Sequence, residues 1–236
     1  QDADAIERLR AAGAVLFGKT NIPAYAGDLQ SFNEIYGTTN NPWNPELTPG
    51  GSSGGAAAAL AAGMTPLELG SDIGGSIRTP AAFCGVAGLK PSWRLIPTRG
   101  HIPGPPGALS TRDISVAGPM SRHVEDLELA MEILAGPDQD EGTGWRLQLP
   151  EPRHQQLESF RVAAWLDDPR CPVDRRIVEA LEQLIGQLGQ WGVAVDYEAR
   201  PEGIGLSEAY DVYYQLLAGT MGVGLPPSLY QQMEEG

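Results

Sequence analysis

The sequence has few cysteines and no long apolar run, and both absences narrow the class of protein. Its 236 residues contain two cysteines, Cys84 and Cys171, which form no disulfide framework, so we expect a reducing compartment, the cytoplasm. No apolar stretch is long enough to cross a bilayer, and no signal peptide is visible at Gln1. We therefore expect neither a membrane protein nor a small secreted domain that is stabilised by disulfide bonds.

Charged residues are also scarce, and most of those present are acidic. They make up 19% of the chain and leave a formal net charge of −14. Because nucleic acids and anionic membranes bind basic surfaces, we expect neither of them as a partner. Hydrophobic residues make up 42% of the chain, which is enough for a globular core.

The periodicity of the apolar residues predicts an α/β fold. The predicted helices are 2–12, 54–63, 77–84, 122–135 and 174–190, the predicted strands are 14–18, 66–70, 161–166 and 193–198, and 91–119 is predicted to be loop. The small side chains of 54–63 predict a helix that a neighbouring element can approach closely. The last strand, helix and strand follow in β-α-β order, which favours parallel pairing.

Two runs of glycine and serine are the most informative local feature. Gly50–Gly55 reads Gly-Gly-Ser-Ser-Gly-Gly, and Gly70–Ser76 reads Gly-Ser-Asp-Ile-Gly-Gly-Ser. Glycine costs the folded chain backbone entropy, so two clusters in a short span need a reason. Glycine lets the backbone approach another group closely, and it lets successive backbone N–H groups point at one oxygen. A serine that ends such a run is typical of a nucleophile beside an oxyanion hole.

Two familiar catalytic and nucleotide-binding motifs match the sequence, but the secondary structure predicted around each match does not suit the motif. Gly13–Thr20 fits the phosphate-loop pattern, but a helix precedes it, Val15 to Phe17 favour burial in a strand, and Pro23 disfavours a following helix. Gly50–Gly54 fits the nucleophile elbow of the α/β-hydrolases, but the segment before it contains two prolines and is a poor strand. Such an enzyme would also need one of the three histidines, His101, His123 or His154, as its base.

The two glycine–serine runs, together with Ile77–Pro91, resemble the amidase signature family. The resemblance extends to Gly18–Asn21, to Tyr36–Trp43 and to Ser115–Pro119, and it is dense up to about residue 136 and thin afterwards. It implies an α/β/α sandwich around a large mixed sheet. We expect residues 1–236 to be an incomplete part of one such domain, with 1–136 as the core that carries the serines and 137–236 as a peripheral α/β segment.

The resemblance also implies a Ser–Ser–Lys triad that hydrolyses amides without a metal or a cofactor. Ser76 corresponds to the nucleophile. Ser52 corresponds to the bridging serine, which follows a cis peptide bond and passes a proton between nucleophile and base. The oxyanion hole corresponds to the backbone N–H groups of Ile73, Gly74, Gly75 and Ser76. We interpret Asp72 as a structural acceptor that fixes this turn. Arg78 is interpreted as a partner for a buried carboxylate, and contact with the substrate is the alternative role.

The triad lysine has no counterpart in this chain. The only lysines, Lys19 and Lys90, match other positions of the family pattern. The chain begins directly in a helical pattern, so the hypothesis is that a longer protein carries the catalytic lysine before Gln1. A neutral lysine, its pKa lowered by burial, would be the base for Ser52. We therefore expect residues 1–236 to be inactive alone.

Three functions stay open at this point. The first is a free-standing amidase with a small-molecule amide as substrate, with a homodimer as one candidate assembly. The second is the glutaminase subunit of a tRNA-dependent amidotransferase, which needs protein partners. The third is a non-catalytic remnant of the same scaffold. The loop 24–35 departs from the form associated with glutaminase subunits, which favours the first.

Overall fold

The computed structural model describes residues 2–101 and 112–222 and has the expected mixed α/β composition. Its helices are α1 (Asp4–Ala11), α2 (Gly54–Ala61), α3 (Arg78–Cys84), α4 (Val124–Leu134), α5 (Arg175–Gln190) and α6 (Leu206–Gly222). Its strands are β1 (Phe32–Asn33), β2 (Gly37–Thr38), β3 (Leu67–Asp72), β4 (Ala87–Gly88), β5 (Val116–Ser121), β6 (Arg161–Ala163) and β7 (Ala194–Asp196). The five predicted helices are confirmed, and α6 is a helix that the sequence analysis did not predict.

The described residues divide into two compact units. The first comprises Gln1–Leu147 and the end of α6 from Leu216, and the second comprises Gln148–Gln215. Both serines of interest belong to the first unit. The prediction that both units are parts of one domain stays a prediction.

The first unit is built on a three-stranded antiparallel sheet in the order β3-β5-β4. The central strand β5 pairs along its whole length with β3, from Leu67 opposite Ser121 to Asp72 opposite Val116. The prediction of loop over 91–119 is therefore wrong at its end, and residues 102–111 of that prediction lie outside the described residues. Glycine and proline in Val116–Ser121 misled the sequence analysis, because both residues normally disfavour a central strand.

Pro119 is tolerated in β5 because of its place in the ladder. Its carbonyl accepts the Leu89 N–H at 3.0 Å, so its nitrogen faces the same side. On that side the strand β4 ends at Gly88, so the N–H that Pro119 lacks would fall opposite Leu89, the first residue beyond β4. A central strand can thus carry a proline where the neighbouring strand is short.

The main core packs the small side chains of α2 against the sheet and α3. Leu60 is fully buried and clusters with Ile77, Cys84 and Met120, and the alanines of α2 are buried around it. Because these alanines have minimal side chains, α2 lies close to its neighbours, as predicted for 54–63. This packing fixes the start of α2, which begins two residues after Ser52.

A second cluster joins α1 to α4 beside the sheet. Ala5, Ile96, Ala117, Ala130 and Leu134 are buried together there. The Arg8 guanidinium donates to the carbonyls of Leu134 and Pro137, which lie at the C-terminal end of α4. Since the last carbonyls of a helix lack intrahelical donors, Arg8 stabilises that end of α4.

The predicted buried strand over 14–18 is wrong. The segment has no regular secondary structure, and Val15 and Phe17 are 87% and 74% exposed. A strand needs a partner for its backbone groups, and no strand within residues 2–101 and 112–222 pairs with this segment. An apolar run predicts where a strand would be buried, but it does not supply the neighbouring strand.

The second unit contains the predicted β-α-β arrangement. β6 and β7 pair in parallel, with Val162 opposite Val195, and α5 connects them. The Asp174 side chain accepts the Arg176 N–H and caps the start of α5. Among the helices of the described segments, none is long and apolar enough to cross a membrane.

We expect Leu60→Ala to lower the free energy of unfolding by about 2–5 kcal/mol, because it removes a fully buried side chain from the main core. Urea denaturation of the protein expressed from its complete gene measures this change. The matched control is Leu129→Ala on α4, where the side chain is 57% exposed. Its expected change is within about 0.5 kcal/mol. Equal effects of the two substitutions would contradict this account of the core.

Candidate active site

Ser52 and Ser76 lie at the starts of two neighbouring helices. Ser52 precedes α2, and Ser76 lies in the turn between β3 and α3. Both are buried, at 3% and 8% exposure. The Gly51–Ser52 peptide bond is cis, as the resemblance implied.

The structure brings the two glycine–serine runs into direct contact. The Ser53 N–H donates to the Ser76 carbonyl at 3.1 Å. The Ser53 hydroxyl lies 3.4 Å from both the N–H and the carbonyl oxygen of Ser71, donating to the oxygen and accepting from the N–H. These contacts fasten the backbone beside Ser52 to the backbone of Ser76. The fold therefore places the two glycine–serine runs together, as expected for residues that share one site.

Close backbone approach explains the glycines of these runs. A Cβ at Gly50 would lie 2.8 Å from the Pro80 Cα, and a Cβ at Gly70 would lie 2.8 Å from the Ser53 hydroxyl oxygen. Gly75 has φ +107, and a Cβ there would meet the Thr79 hydroxyl oxygen at 2.8 Å. Residues with a side chain would push the two serine segments apart.

Asp72 holds the turn that carries Ser76. It is 1% exposed and accepts the Gly75 N–H at 2.8 Å and the Ile77 N–H at 3.1 Å. The Arg78 guanidinium donates to both carboxylate oxygens, at 2.9 and 3.0 Å. This geometry confirms the interpretation of Asp72 as a structural acceptor and of Arg78 as its partner.

Two opposing effects set the pKa of Asp72. Burial by itself raises the pKa, but the hydrogen bonds from Arg78, Gly75 and Ile77 and the charge of Arg78 together lower it by more. The net result is a pKa below the ordinary aspartate value, so Asp72 is ionised at neutral pH. An ionised, fully hydrogen-bonded carboxylate is a poor general acid, and its role is to shape the turn.

The turn from Ile73 to Ser76 changes from exposed to buried along its length. Gly74 at the turn's apex is exposed, whereas Gly75 and Ser76 are buried. One of the four donors predicted for the oxyanion hole, the Gly75 N–H, is bonded to Asp72. The turn therefore opens to solvent at Gly74, beside the Ser76 backbone.

Neither lysine of the chain is bonded to the serine pair. Lys19 is exposed, and the Lys90 ammonium group donates to the Pro91 carbonyl at 2.9 Å. Residues 13–20, which fit the phosphate-loop pattern, are irregular, and no helix follows Lys19 directly. Both observations agree with the sequence analysis, which gave neither lysine a catalytic role.

The described structure gives no catalytic role to the three histidines or to Cys84. His123 precedes α4, and His154 makes an edge-to-face contact with Phe160 in the second unit. Burial lowers the pKa of His101. Burial raises the pKa of the Cys84 thiol to about 11, so it is protonated at neutral pH. Within the described residues, no three His, Cys, Asp or Glu side chains are placed to hold a metal ion.

Residues from the segment 21–31 contact the loop that carries Ser52, and no pattern in the sequence indicated this contact. The Asp28 carbonyl oxygen would lie 2.5 Å from a Cβ at Gly51, and a Cβ at Gly54 would overlap the Ser31 hydroxyl oxygen. Asn21 accepts the Gly55 N–H at 3.2 Å through its carbonyl. These contacts join distant parts of the chain, so no local motif could have revealed them.

Comparison with known proteins identifies the family. The Amidase family model matches residues 1–222. A glutamyl-tRNA(Gln) amidotransferase subunit from Sulfolobus acidocaldarius is 38% identical over 201 residues, which cover 83% of this chain and 41% of that protein. The corresponding subunit of Thermus thermophilus is 36% identical over an alignment that covers all of this chain and 49% of that protein. The chain therefore belongs to the amidase signature family.

Solved structures agree with this assignment. A fatty acid amide hydrolase superposes with a TM-score of 0.78 at 32% identity, covering 92% of this chain and 38% of that one. The same glutamyl-tRNA(Gln) amidotransferase subunit from Thermotoga maritima superposes with a TM-score of 0.78 at 28% identity, covering 100% and 52%. The chain thus has the expected fold class and spans about half or less of the length of these relatives.

Proposed function

We propose that the protein hydrolyses carboxylic amides through an acyl-enzyme formed on Ser76. The observation that carries this proposal is the contact between the two runs, where the Ser53 N–H donates to the Ser76 carbonyl. This hydrogen bond holds the backbone of Ser76 against the residue that follows Ser52, and both Ser52 and Ser76 are buried. Membership in the amidase signature family supports the same chemistry.

The proposed reaction has two steps. The Ser76 hydroxyl oxygen attacks the amide carbonyl carbon, and its proton passes through the Ser52 hydroxyl to a base. The tetrahedral intermediate collapses as the C–N bond breaks, and the amine leaves with a proton returned along the same path. Water then attacks the acyl ester on Ser76, and this second step releases the carboxylate and restores both hydroxyls.

We propose that the backbone N–H groups of the 73–76 turn stabilise the oxyanion. The Gly75 N–H donates to Asp72 Oδ1 and so holds the turn, and the proposed donors to the oxyanion are the N–H groups of Gly74 and Ser76, with Ile73 at the start of the same turn. A single donor of this kind typically contributes about 10²–10³ in rate.

We propose that the base is a lysine outside residues 1–236. Lys90 donates to the Pro91 carbonyl and Lys19 is exposed, so both support the prediction that neither is the triad lysine. Because Ser52 can relay a proton only if a base accepts it, residues 1–236 are expected to be inactive alone.

This proposal predicts the rate at which a fluorophosphonate probe labels Ser76. The protein expressed from its complete gene should be labelled about 10²–10⁴-fold faster than residues 1–236 alone, since general-base catalysis contributes that much. Circular dichroism and a cooperative urea transition must first show that residues 1–236 are folded. Equal labelling rates in two folded proteins would overturn the assignment of the base to a residue outside this range.

Two substrate classes are consistent with this chemistry. The loop 24–35 favours a free-standing amidase that acts on a small amide, as the sequence analysis proposed. The second candidate is a glutaminase subunit, and the names of the curated relatives favour it, because they are glutamyl-tRNA(Gln) amidotransferase subunits. Both candidates use Ser76 in the same way and differ in their need for protein partners.

Release of ammonia or amine distinguishes these candidates. The protein from the complete gene is assayed alone with aliphatic and aryl amides and with glutamine, and again with the other subunits of an amidotransferase. Turnover of amides by the isolated protein supports the free amidase. Glutamine hydrolysis that occurs only with the added subunits supports the glutaminase subunit. If no substrate is turned over with or without these subunits, the third alternative, a non-catalytic remnant of the scaffold, is favoured.

The cysteines support the proposed cytoplasmic location. Cys84 is buried and Cys171 is exposed, and both are free thiols. Free thiols persist in reducing compartments.

A further inference from the structure

Ser31 is a buried hydroxyl directly beneath the Ser52 loop. It is 0% exposed, and it precedes β1 in a loop that is far from Ser52 in sequence. Its hydroxyl lies 3.2 Å from the Gly50 carbonyl oxygen and 3.4 Å from the Ser52 carbonyl oxygen. A hydroxyl has one proton, so the two carbonyls share this donor. One side chain thus contacts the backbone on both sides of Gly51.

The packing around this hydroxyl leaves it little freedom. A Cβ at Gly54 would overlap the Ser31 oxygen, so the hydroxyl occupies the space that a side chain at 54 would fill. The first turn of α2 therefore encloses Ser31 against the Ser52 loop. Movement of the hydroxyl would require movement of the loop or of the helix start.

The backbone of Ser31 is itself held in place. Its carbonyl accepts the Thr39 N–H at 2.9 Å and the Asn21 side-chain amide at 3.5 Å. The Asn21 carbonyl in turn accepts the Gly55 N–H at the start of α2. Two connections therefore join the loop that carries Ser31 to the segment 50–55, one through the Ser31 hydroxyl and one through Asn21.

We propose that Ser31 is a positioning residue for the proton relay of Ser52. By holding the carbonyls of Gly50 and Ser52, its hydroxyl fixes the backbone from which the Ser52 side chain projects, and so fixes the direction of that side chain toward Ser76. This inference rests on the proposed function, because it assumes that Ser52 passes a proton during amide cleavage.

A comparison of an amide with an ester of the same acyl group isolates this role. An amine leaves only after it has been protonated, whereas a nitrophenolate leaves without a proton. A misdirected Ser52 should therefore slow amide cleavage more than ester cleavage. A general loss of folded protein would lower both rates equally.

The test uses Ser31→Ala in the protein expressed from its complete gene, with a p-nitrophenyl ester and an amide as substrates. We expect kcat/KM for the amide to fall about 10–100-fold, as small misplacements of catalytic groups do, while the ester falls less than about 3-fold. Ser31→Thr, which restores the hydroxyl, should recover at least part of the amide rate. If Ser31→Ala does not fold, Ser31→Cys takes its place in the same comparison.

The matched control is Ser121→Ala. Ser121 is also 0% exposed, and its hydroxyl lies 2.6 Å from a carboxylate oxygen of Asp126 and 3.0 Å from the Pro66 carbonyl oxygen, so its partners differ from those of Ser31. Its amide-to-ester ratio should be unchanged even if stability falls. An unchanged ratio in Ser31→Ala would overturn the positioning role. If Ser76→Ala keeps wild-type turnover, the proposed function itself has failed, and the two failures are thereby told apart.

Discussion

Replacing Ser76 with alanine is expected to lower kcat for amide hydrolysis by about 10⁴–10⁶-fold, as the loss of a serine nucleophile does in other hydrolases. The reason is that no other group can form the acyl ester at the end of the 73–76 turn. The change is measured by steady-state kinetics of the protein from the complete gene. The substrate is the amide, among those assayed for the proposed function, that is turned over fastest. The free energy of unfolding should stay within about 1 kcal/mol of wild type.

Two controls make this result specific. Ser92→Ala removes a hydroxyl at an exposed position and should leave kcat unchanged. Ser52→Ala keeps the nucleophile and removes the relay, so its loss should be large for an amide and smaller for an activated ester. If Ser76→Ala retains more than about one tenth of the wild-type kcat, the assignment of the nucleophile is contradicted, because removing a serine nucleophile lowers kcat far more than about tenfold.

Replacing Asp72 with alanine is expected to lower the free energy of unfolding by about 2–6 kcal/mol, because it leaves two buried backbone N–H groups without their acceptor, at about 1–3 kcal/mol each. The Arg78 side chain, which is 56% exposed, can turn to solvent when its partner is lost. Amide turnover should fall as well, since the turn that carries Ser76 loses its support. Urea denaturation at pH 7 and steady-state kinetics measure the two effects.

The control for Asp72 is a surface ion pair. Asp140 lies 2.8 Å from Arg99 and its side chain is 83% exposed, against 0% for Asp72. Asp140→Ala should cost less than about 1 kcal/mol, the usual range for exposed pairs. Equal costs at the two sites would show that Asp72 does not hold the turn as described.

The pH dependence of the Asp72 effect follows from the direction of its pKa shift. The folded state lowers the pKa of Asp72 below the unfolded value of about 3.9, so its contribution is complete above that value and is lost as the pH falls through the folded pKa. The difference in unfolding free energy between wild type and Asp72→Asn should therefore be constant from pH 6 to 8 and shrink in stronger acid. A difference that grows on acidification would contradict this sign.

Local patterns predicted the helices and the pairing of the serine runs well. The small side chains of 54–63 predicted a closely packed helix, and α2 confirms it. The glycines of the two runs predicted close backbone approach, and Gly50 and Gly70 show it. These features depend on nearby residues, which a sequence displays directly.

Features that depend on distant partners could not be predicted in this way. Residues 14–18 have the composition of a buried strand but no pairing strand among the described residues. Pro119 lies in a central strand at the point where the neighbouring strand β4 ends. Ser31 acts on carbonyls about twenty residues further along the chain, and a lone serine in a loop carries no local signal of that contact.

The central claim is that amides are cleaved through an ester on Ser76, and trapping that ester tests it most directly. The protein from the complete gene is mixed with its amide substrate, quenched in acid during turnover, digested and analysed by mass spectrometry. The account predicts that the mass of the acyl group is found on the peptide that contains Ser76, and that it is absent in Ser76→Ala. An acyl group found on any other residue during turnover would contradict the account.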